Sequence, residues 1–304
     1  MIIEKDIGII GAGPAGMSCA LYLCRSKYSF EIIEKEMTGG KLNVTTEIEN
    51  YPGVNKTDGF SLGMMIKKQI ESFGIKILKD SINDIVFENN KYKLLGEKNT
   101  YLFKNIVIAT GSSNKKSNAI NEDKYLGNGI SYCAVCDGFL YKNKDVMVFA
   151  NSRKGYLEAL YLSQLVNKIY LVSDKDEDDV EGSLKKLKSL NNVEFLSPYK
   201  IKKYDGDVII KNVEIENINT KEVKTINISA CFPFLGDTPN NYLIKKLGIY
   251  TNKSGYILVD KYMETNVKGV YAIGDIIDKP LRQVVTACSD GAIAATSIIK
   301  NLNK

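Results

Sequence analysis

The chain contains no histidine and no tryptophan in 304 residues. Without imidazole there is no Ser-His-Asp or Cys-His nucleophile pair, no histidine-ligated zinc, and no side chain that ordinarily titrates near neutrality. Proton transfer therefore falls to Asp, Glu, Lys, Tyr or Cys. Arginine is nearly absent as well: Arg25, Arg153 and Arg282 are the only ones, so almost all of the 41 basic residues are lysines. No apolar run approaches the ~20 residues of a membrane span. The N-terminus has no charged-then-apolar leader. We therefore expect a soluble, cytoplasmic protein with no membrane partner. A net charge of +5, spread along the chain, is a solubilising surface and poor support for nucleic-acid binding.

With 44% hydrophobic and 25% charged residues, the chain is long enough for two domains with separate cores. Its six cysteines include a tight pair, Cys133 and Cys136, which suits redox or metal chemistry in a reducing compartment better than a disulfide framework.

The first clear unit is strand, turn, helix, strand. Asp6–Ile10 reads as a buried strand, Gly11-Ala12-Gly13-Pro14-Ala15-Gly16 as a turn, Met17 to about Ser26 as a helix, and Phe30–Glu34 as a second strand. In that setting G-x-G-x-x-G marks a dinucleotide site. Gly11 makes the tight turn, Gly13 lets a pyrophosphate approach, Gly16 lets helix and strand pack, and the helix N-terminus faces the phosphates. Glu34 is placed to accept from a ribose. Asn105–Gly111 reads as a strand ending in a turn, and Ser112–Lys124 as a linker. A second such unit runs from Asp145–Phe149 through a helix at about Tyr156–Val166 to Lys168–Val172. Alternating β-prone segments follow, and a helix at about Val284–Leu302 closes the chain. The fold class is α/β, with two Rossmann-like domains.

The Gly11–Gly16 turn is joined by Gly39-Gly40-Lys41-Leu42, Glu49-Asn50-Tyr51-Pro52-Gly53, Ala109-Thr110-Gly111, Cys133-Ala134-Val135-Cys136-Asp137, Tyr271–Asp275 and Arg282–Ala287. In this order and spacing, and over essentially the whole chain, these segments resemble the low-molecular-weight bacterial thioredoxin reductases. The resemblance implies a three-layer ββα FAD-binding domain in two segments, 1–112 and 240–304. It also implies an inserted nucleotide-binding-like domain, 113–239, that carries the redox cysteines, and a homodimer. By position, the FAD site would comprise Gly11, Gly13, Pro14, Ala15 and Gly16 at the pyrophosphate, Glu34 and Lys35 at the adenosine end, and Gly40, Lys41, Leu42, Asn50, Ala109, Thr110 and Gly111. Gly274 and Asp275 would bind the pyrophosphate–ribityl region, and Arg282, Gln283 and Val284 would border the flavin ring.

Two departures stand out. Lys41 replaces the family's usual Gln. If its ammonium reaches the ring, it favours reduced, anionic flavin; the alternative is a lysine pointing into solvent. The larger departure is in the second Rossmann unit, which reads Ala150-Asn151-Ser152-Arg153-Lys154-Gly155 and keeps only the third glycine. Ala150 would have to tolerate the tight turn, and Ser152 would put a side chain where a pyrophosphate should approach. Where the family grips a 2′-phosphate with a His-Arg-Arg cluster, this chain has Ser173-Asp174-Lys175-Asp176-Glu177-Asp178-Asp179. Each close carboxylate–phosphate pair would cost ~1 kcal/mol even in high dielectric. A flavin site kept while the pyridine-nucleotide site is lost resembles the ferredoxin-dependent flavin thioredoxin reductases.

A metal reading of Cys133-x-x-Cys136 needs further ligands, and there is neither histidine nor a second C-x-x-C. That leaves a dithiol/disulfide, with Cys19, Cys24 and Cys231 read as packing residues and Cys288, beside the flavin, as a packing residue with a redox role as the alternative. The resemblance implies that Cys136 takes electrons from the flavin, Cys133 attacks the partner disulfide, and Asp137 protonates the departing thiolate. Ferredoxins near ~−400 mV and thioredoxin near ~−270 mV leave a fall of roughly 6 kcal/mol for two electrons. The expected activity is ferredoxin:thioredoxin oxidoreductase, FAD-dependent. The alternative is a thioredoxin-reductase-like enzyme with another donor, NAD(P)H or unknown, or a non-thioredoxin disulfide substrate.

Overall fold

A computed structural model describes residues 1–304 except Thr46, Glu47, Cys133, 176–181 and Lys304. The chain divides into two units: Met1–Ser113 with Thr238–Lys304, and Asn114–Asp237.

The first unit is built on a seven-stranded sheet. Strands β1 (Ile2–Ile10), β2 (Phe30–Glu34) and β3 (Ile77–Lys79) run parallel, and β6 (Thr100–Ile108) lies along the other side of β1. The edge of β6 is shared. Its first half pairs antiparallel with β5 (Lys91–Gly96), which pairs with β4 (Ile82–Glu88), while Ile106–Ile108 pair parallel with Val270–Ala272. Side chains alternate between two cores, as the period of two dictates. Ile7, Ile9, Ile32 and Val107 pack with helix α1 (Pro14–Leu23) and the C-terminal helix Val284–Leu302; Ile10, Ile33, Ile106 and Ile108 pack with Ile82, Ile85, Leu94 and Tyr101 of the β4–β6 meander. Helix α2 (Gly59–Ser72) adds Ile70 to the first core, and Asp58 caps it by accepting from the Ser61 N–H at 2.8 Å.

The second unit repeats this plan. A four-stranded parallel sheet has the order Val193–Leu196, Lys168–Val172, Asp145–Ala150, Ala230–Phe234, with a three-stranded meander of Tyr199–Gly206, Ile210–Asn217 and Val223–Asn227. Where β6 serves both layers of the first unit, the second unit uses two strands, Val223–Asn227 and Ala230–Phe234, broken at Ile228-Ser229. Its helix Arg153–Leu162 starts three residues earlier than the sequence reading, and α1 likewise begins at Pro14 instead of Met17. Residues 112–124, expected as a linker, include the boundary between the units at Ser113 and Asn114 but have order of their own: the short helix Glu122–Tyr125 begins within them, and Glu122 is buried. No helix of the described residues is long and apolar enough to cross a membrane.

Candidate functional site

The expected cofactor residues of the first unit meet at the C-terminal ends of its parallel strands, where open α/β sheets bind ligands. Gly11 leaves β1 at φ +109°, a conformation L-residues avoid. Gly16 lets α1 lie against the turn, since a Cβ there would stand 2.0 Å from the Gly11 carbonyl oxygen. Gly13 is the N-cap, with Pro14 at the first helical position, and no side chain caps this helix N-terminus among the described residues. A Cβ on Gly13 would meet nothing within 4 Å, so the space outside the turn is open to a ligand that comes close to backbone.

Glu34 braces the turn. One carboxylate oxygen accepts from the Ala12 N–H at 2.7 Å and the other from the Glu36 N–H at 2.8 Å, leaving lone pairs for a ribose hydroxyl. The Gly39 N–H donates to the Ala12 carbonyl at 2.9 Å, which brings Gly40 and the buried Leu42 beside the turn. Lys35 stays exposed at the rim, its ammonium 3.3 Å from Glu36 and 5.9 Å from the Tyr242 ring centroid. Lys41 does not point into solvent: Nζ donates to Ser112 Oγ at 2.8 Å and lies 3.8 Å from the Asp275 carboxylate.

Ala109 continues β1's pairing, its N–H donating to the Ile10 carbonyl at 2.8 Å. Thr110 and Asn240 exchange two hydrogen bonds, of 2.8 and 2.9 Å, that fix the turn ending at Gly111. Gly274 (φ +78°) donates its N–H to Asp290 Oδ2 at 3.0 Å; Lys279 Nζ is 2.6 Å from the same oxygen, a buried ion pair that holds the Gly274-Asp275 turn. Burial pushes the Asp290 carboxyl above its ordinary value, and Lys279 pulls against that rise. Arg282 donates to the Asp275 and Ile277 carbonyls and stacks 3.9 Å from the Tyr256 ring centroid. Gln283 is the N-cap residue of the C-terminal helix, which begins at Val284; its N–H donates to Thr286 Oγ1 at 3.1 Å, and its side-chain oxygen accepts from Asn50 Nδ2 at 3.2 Å. The sequence reading did not reach Ser112, Lys279 or Asp290. For Asp290 the available signal was an acid inside an otherwise apolar helix.

The corresponding turn of the second unit is closed by its own side chains. Ala150 is the last strand residue and adopts no positive φ, so the tight turn of Gly11 is absent there, not tolerated. Ser152 takes the position of Gly13 and its hydroxyl accepts from the Gly155 N–H at 3.4 Å, so a side chain caps this helix N-terminus. Asn151 Nδ2 donates to Asp174 Oδ1 at 3.1 Å, tying the turn to the end of the next strand. Gly155 is kept for packing: its Cβ would stand 2.7 Å from the Ala150 Cβ and 3.1 Å from the Phe234 carbonyl oxygen. The acids Asp176, Glu177, Asp178 and Asp179 lie outside the described residues.

Cys133 also lies outside the described residues, and Cys136 is carried on the short helix Ala134–Asp137. The described residues flanking them in sequence are tied by hydrogen bonds. Ser131 donates its hydroxyl to Asp137 Oδ2 at 2.6 Å and its N–H to the Cys231 carbonyl at 3.1 Å. Tyr132 donates to Glu122 at 2.7 Å, and Glu122 also accepts from Ser117 and Asn118. Burial, then Glu122, pushes the Tyr132 hydroxyl well above its usual range. Burial pushes the Cys19 thiol up to about 12 and raises those of Cys231 and Cys288, which makes them poor nucleophiles at neutral pH. Cys24 is only partly buried and donates to the Leu21 carbonyl.

The family model for pyridine nucleotide-disulphide oxidoreductases matches residues 5–291. A thioredoxin reductase of Ureaplasma parvum is 36% identical over 95% of this chain and 94% of its own. The crystal structure of thioredoxin reductase from Streptococcus pyogenes is similar with TM-score 0.84 and 34% identity, covering 99% of this chain and 98% of that one. A ferredoxin-flavin thioredoxin reductase from Clostridium acetobutylicum is similar with TM-score 0.56 and 29% identity, covering 100% and 99%. Thioredoxin reductases of this family are FAD-binding flavoproteins, and the open turn of the first unit, with its uncapped helix N-terminus, fits such a group. The chain thus belongs to the pyridine nucleotide-disulphide oxidoreductase family, as a thioredoxin-reductase-like flavoprotein disulfide oxidoreductase.

Proposed function

We propose that this enzyme reduces the disulfide of thioredoxin with electrons from reduced ferredoxin, through FAD and the Cys133/Cys136 pair, as a cytoplasmic homodimer. In this reading, residues 1–112 and 240–304 form the FAD domain and 113–239 the dithiol domain. FAD supplies a store that is filled by single electrons and emptied as a pair. The protein's own residues do the rest. Gly11–Gly16, Glu34, Asn50, Gly274, Asp275 and Gln283 bind and orient the cofactor. The electron pair enters the Cys133–Cys136 disulfide at Cys136 and breaks its S–S bond, leaving both sulfurs at the thiol level, and the Cys133 thiolate attacks one sulfur of the thioredoxin disulfide. The departing sulfur leaves as a thiolate and takes its proton from Asp137, whose other oxygen is held by Ser131. Cys136 then attacks the mixed disulfide, releasing reduced thioredoxin and re-forming the Cys133–Cys136 disulfide.

The observation that carries the choice of donor is the closed turn of the second unit. Ser152 occupies the helix N-terminus that a pyrophosphate would need, and the Asn151–Asp174 bond spans the mouth of the turn. A nucleotide would have to break both while meeting the Asp174 carboxylate. The likeness to a protein described as a ferredoxin-flavin thioredoxin reductase, over the whole chain, supports the same reading. The test is titration of the oxidised protein with NADPH and with NADH. We expect no saturation within the ~1 μM to 1 mM range in which enzymes commonly hold substrates; micromolar saturation by either would overturn the ferredoxin assignment.

A further inference from the structure

Lys41 stands where three segments of the first unit's site come together. It belongs to the 3₁₀ turn Gly40–Val44, which the bond from the Gly39 N–H to the Ala12 carbonyl fixes beside the glycine turn. Its ammonium reaches the buried Ser112, just beyond Gly111, at 2.8 Å, and Asp275, just beyond Gly274, at 3.8 Å. The side chains of Lys41 and Asp275 are 38% and 23% exposed, so the pair sits in a partly dehydrated cleft where charges are less screened than on open surface. The neighbouring cations are committed elsewhere: Arg282 to two carbonyls and the Tyr256 ring, Lys279 to Asp290. Among the described residues, Lys41 forms an ion pair with the Asp275 carboxylate.

We propose that Lys41 is a positioning residue that sets the charge balance of the flavin site. Taking up two electrons and one proton leaves the reduced flavin with one more negative charge than the oxidised form. A lone Asp275 carboxylate beside it opposes that change, and the paired ammonium cancels the opposition. The pair therefore has a sign that a purely structural contact lacks. Lys41→Gln uncovers a negative charge and disfavours reduced flavin, whereas Asp275→Asn uncovers a positive charge and favours it. The double variant restores the balance, and Lys41→Arg keeps it.

This inference rests on FAD occupying the first unit. The experiment is the flavin midpoint potential of the holoprotein, read by equilibration with a redox dye, together with FAD content, for the wild type, Lys41→Gln, Lys41→Arg, Asp275→Asn and the double variant. We expect the single variants to shift the ratio of reduced to oxidised flavin about tenfold in opposite directions, ~30 mV each for a two-electron couple. The double variant and Lys41→Arg should stay near the wild type. Should Lys41→Gln lose its FAD, Asp275→Asn alone decides by its sign: a raised potential supports the proposal, and a lowered one overturns it. Single variants that shift together, or not at all, with FAD bound overturn the proposal and leave the flavin reading intact. A wild-type protein isolated with no FAD overturns both.

Discussion

In the proposed reaction, Asp137 is the acid that protonates the departing thiolate. With no histidine in the chain, the proton for a departing thiolate must come from another acid, and Ser131 holds one oxygen of this carboxyl by a 2.6 Å hydrogen bond. General acid catalysis is commonly worth 10²–10⁴-fold, so Asp137→Asn is expected to lower kcat for thioredoxin reduction by about 10²-fold. The dissociation constant for thioredoxin should change by less than about threefold, because an amide keeps the shape and the bond to Ser131. Stopped-flow kinetics with a parallel binding measurement separates the two; unchanged kcat contradicts the role. At this scale, motif position pointed to Asp137, but no motif revealed its Ser131 partner. Lys41 was ambiguous for the same reason. The resemblance places a lysine where the family usually has a glutamine, but the direction of its side chain depends on Ser112 and Asp275, which are 71 and 234 residues away. The Lys279–Asp290 pair also joins two segments whose spacing carries no signature.

The two glycine turns make the same comparison between elements. In the first unit, Gly13 is open outward and Gly16 is closed inward; in the second, Ser152 fills the outward position and Gly155 keeps the inward one. Gly13→Ala should therefore leave the apoprotein's thermal midpoint within about 2 °C of the wild type, since nothing lies within 4 Å of the added carbon, yet lower the fraction of protein isolated with FAD. Gly155→Ala should do the reverse. Its methyl collides with Ala150 and the Phe234 carbonyl oxygen, an overpacking cost of about 1–3 kcal/mol, with FAD content unchanged. Thermal melts and flavin absorbance read both; FAD loss in the second variant and not in the first would reverse the assignment. The strand–turn–helix units were legible because glycine spacing and apolar runs are local signals. Helix α2 was not singled out, although Leu62, Ile66 and Ile70 recur at four-residue spacing behind the Asp58 cap. The stretch 112–124 looked like a linker because its order comes from buried Glu122, which collects Ser117, Asn118 and Tyr132, and not from an apolar run.

Across the whole molecule, one architecture is used twice, with one nucleotide turn left open and the other shut by its own side chains. The family pattern made the two units legible, and the lost glycines announced that the second turn was altered. What the sequence could not display is how it is altered. Ala150 extends the strand, Ser152 caps the helix and Asn151 crosses to Asp174, so this turn is filled by its own hydrogen bonds. In the proposed reaction, electrons enter at the flavin without a pyridine nucleotide. The most direct test is anaerobic stopped-flow of the oxidised, FAD-loaded protein against NADPH, NADH and photoreduced ferredoxin in turn, following flavin absorbance, with thioredoxin then added. The account predicts that ferredoxin bleaches the flavin and that thioredoxin restores its colour as its own disulfide is reduced, while neither nucleotide bleaches it at micromolar concentration. Bleaching by NADPH or NADH at that concentration would contradict it.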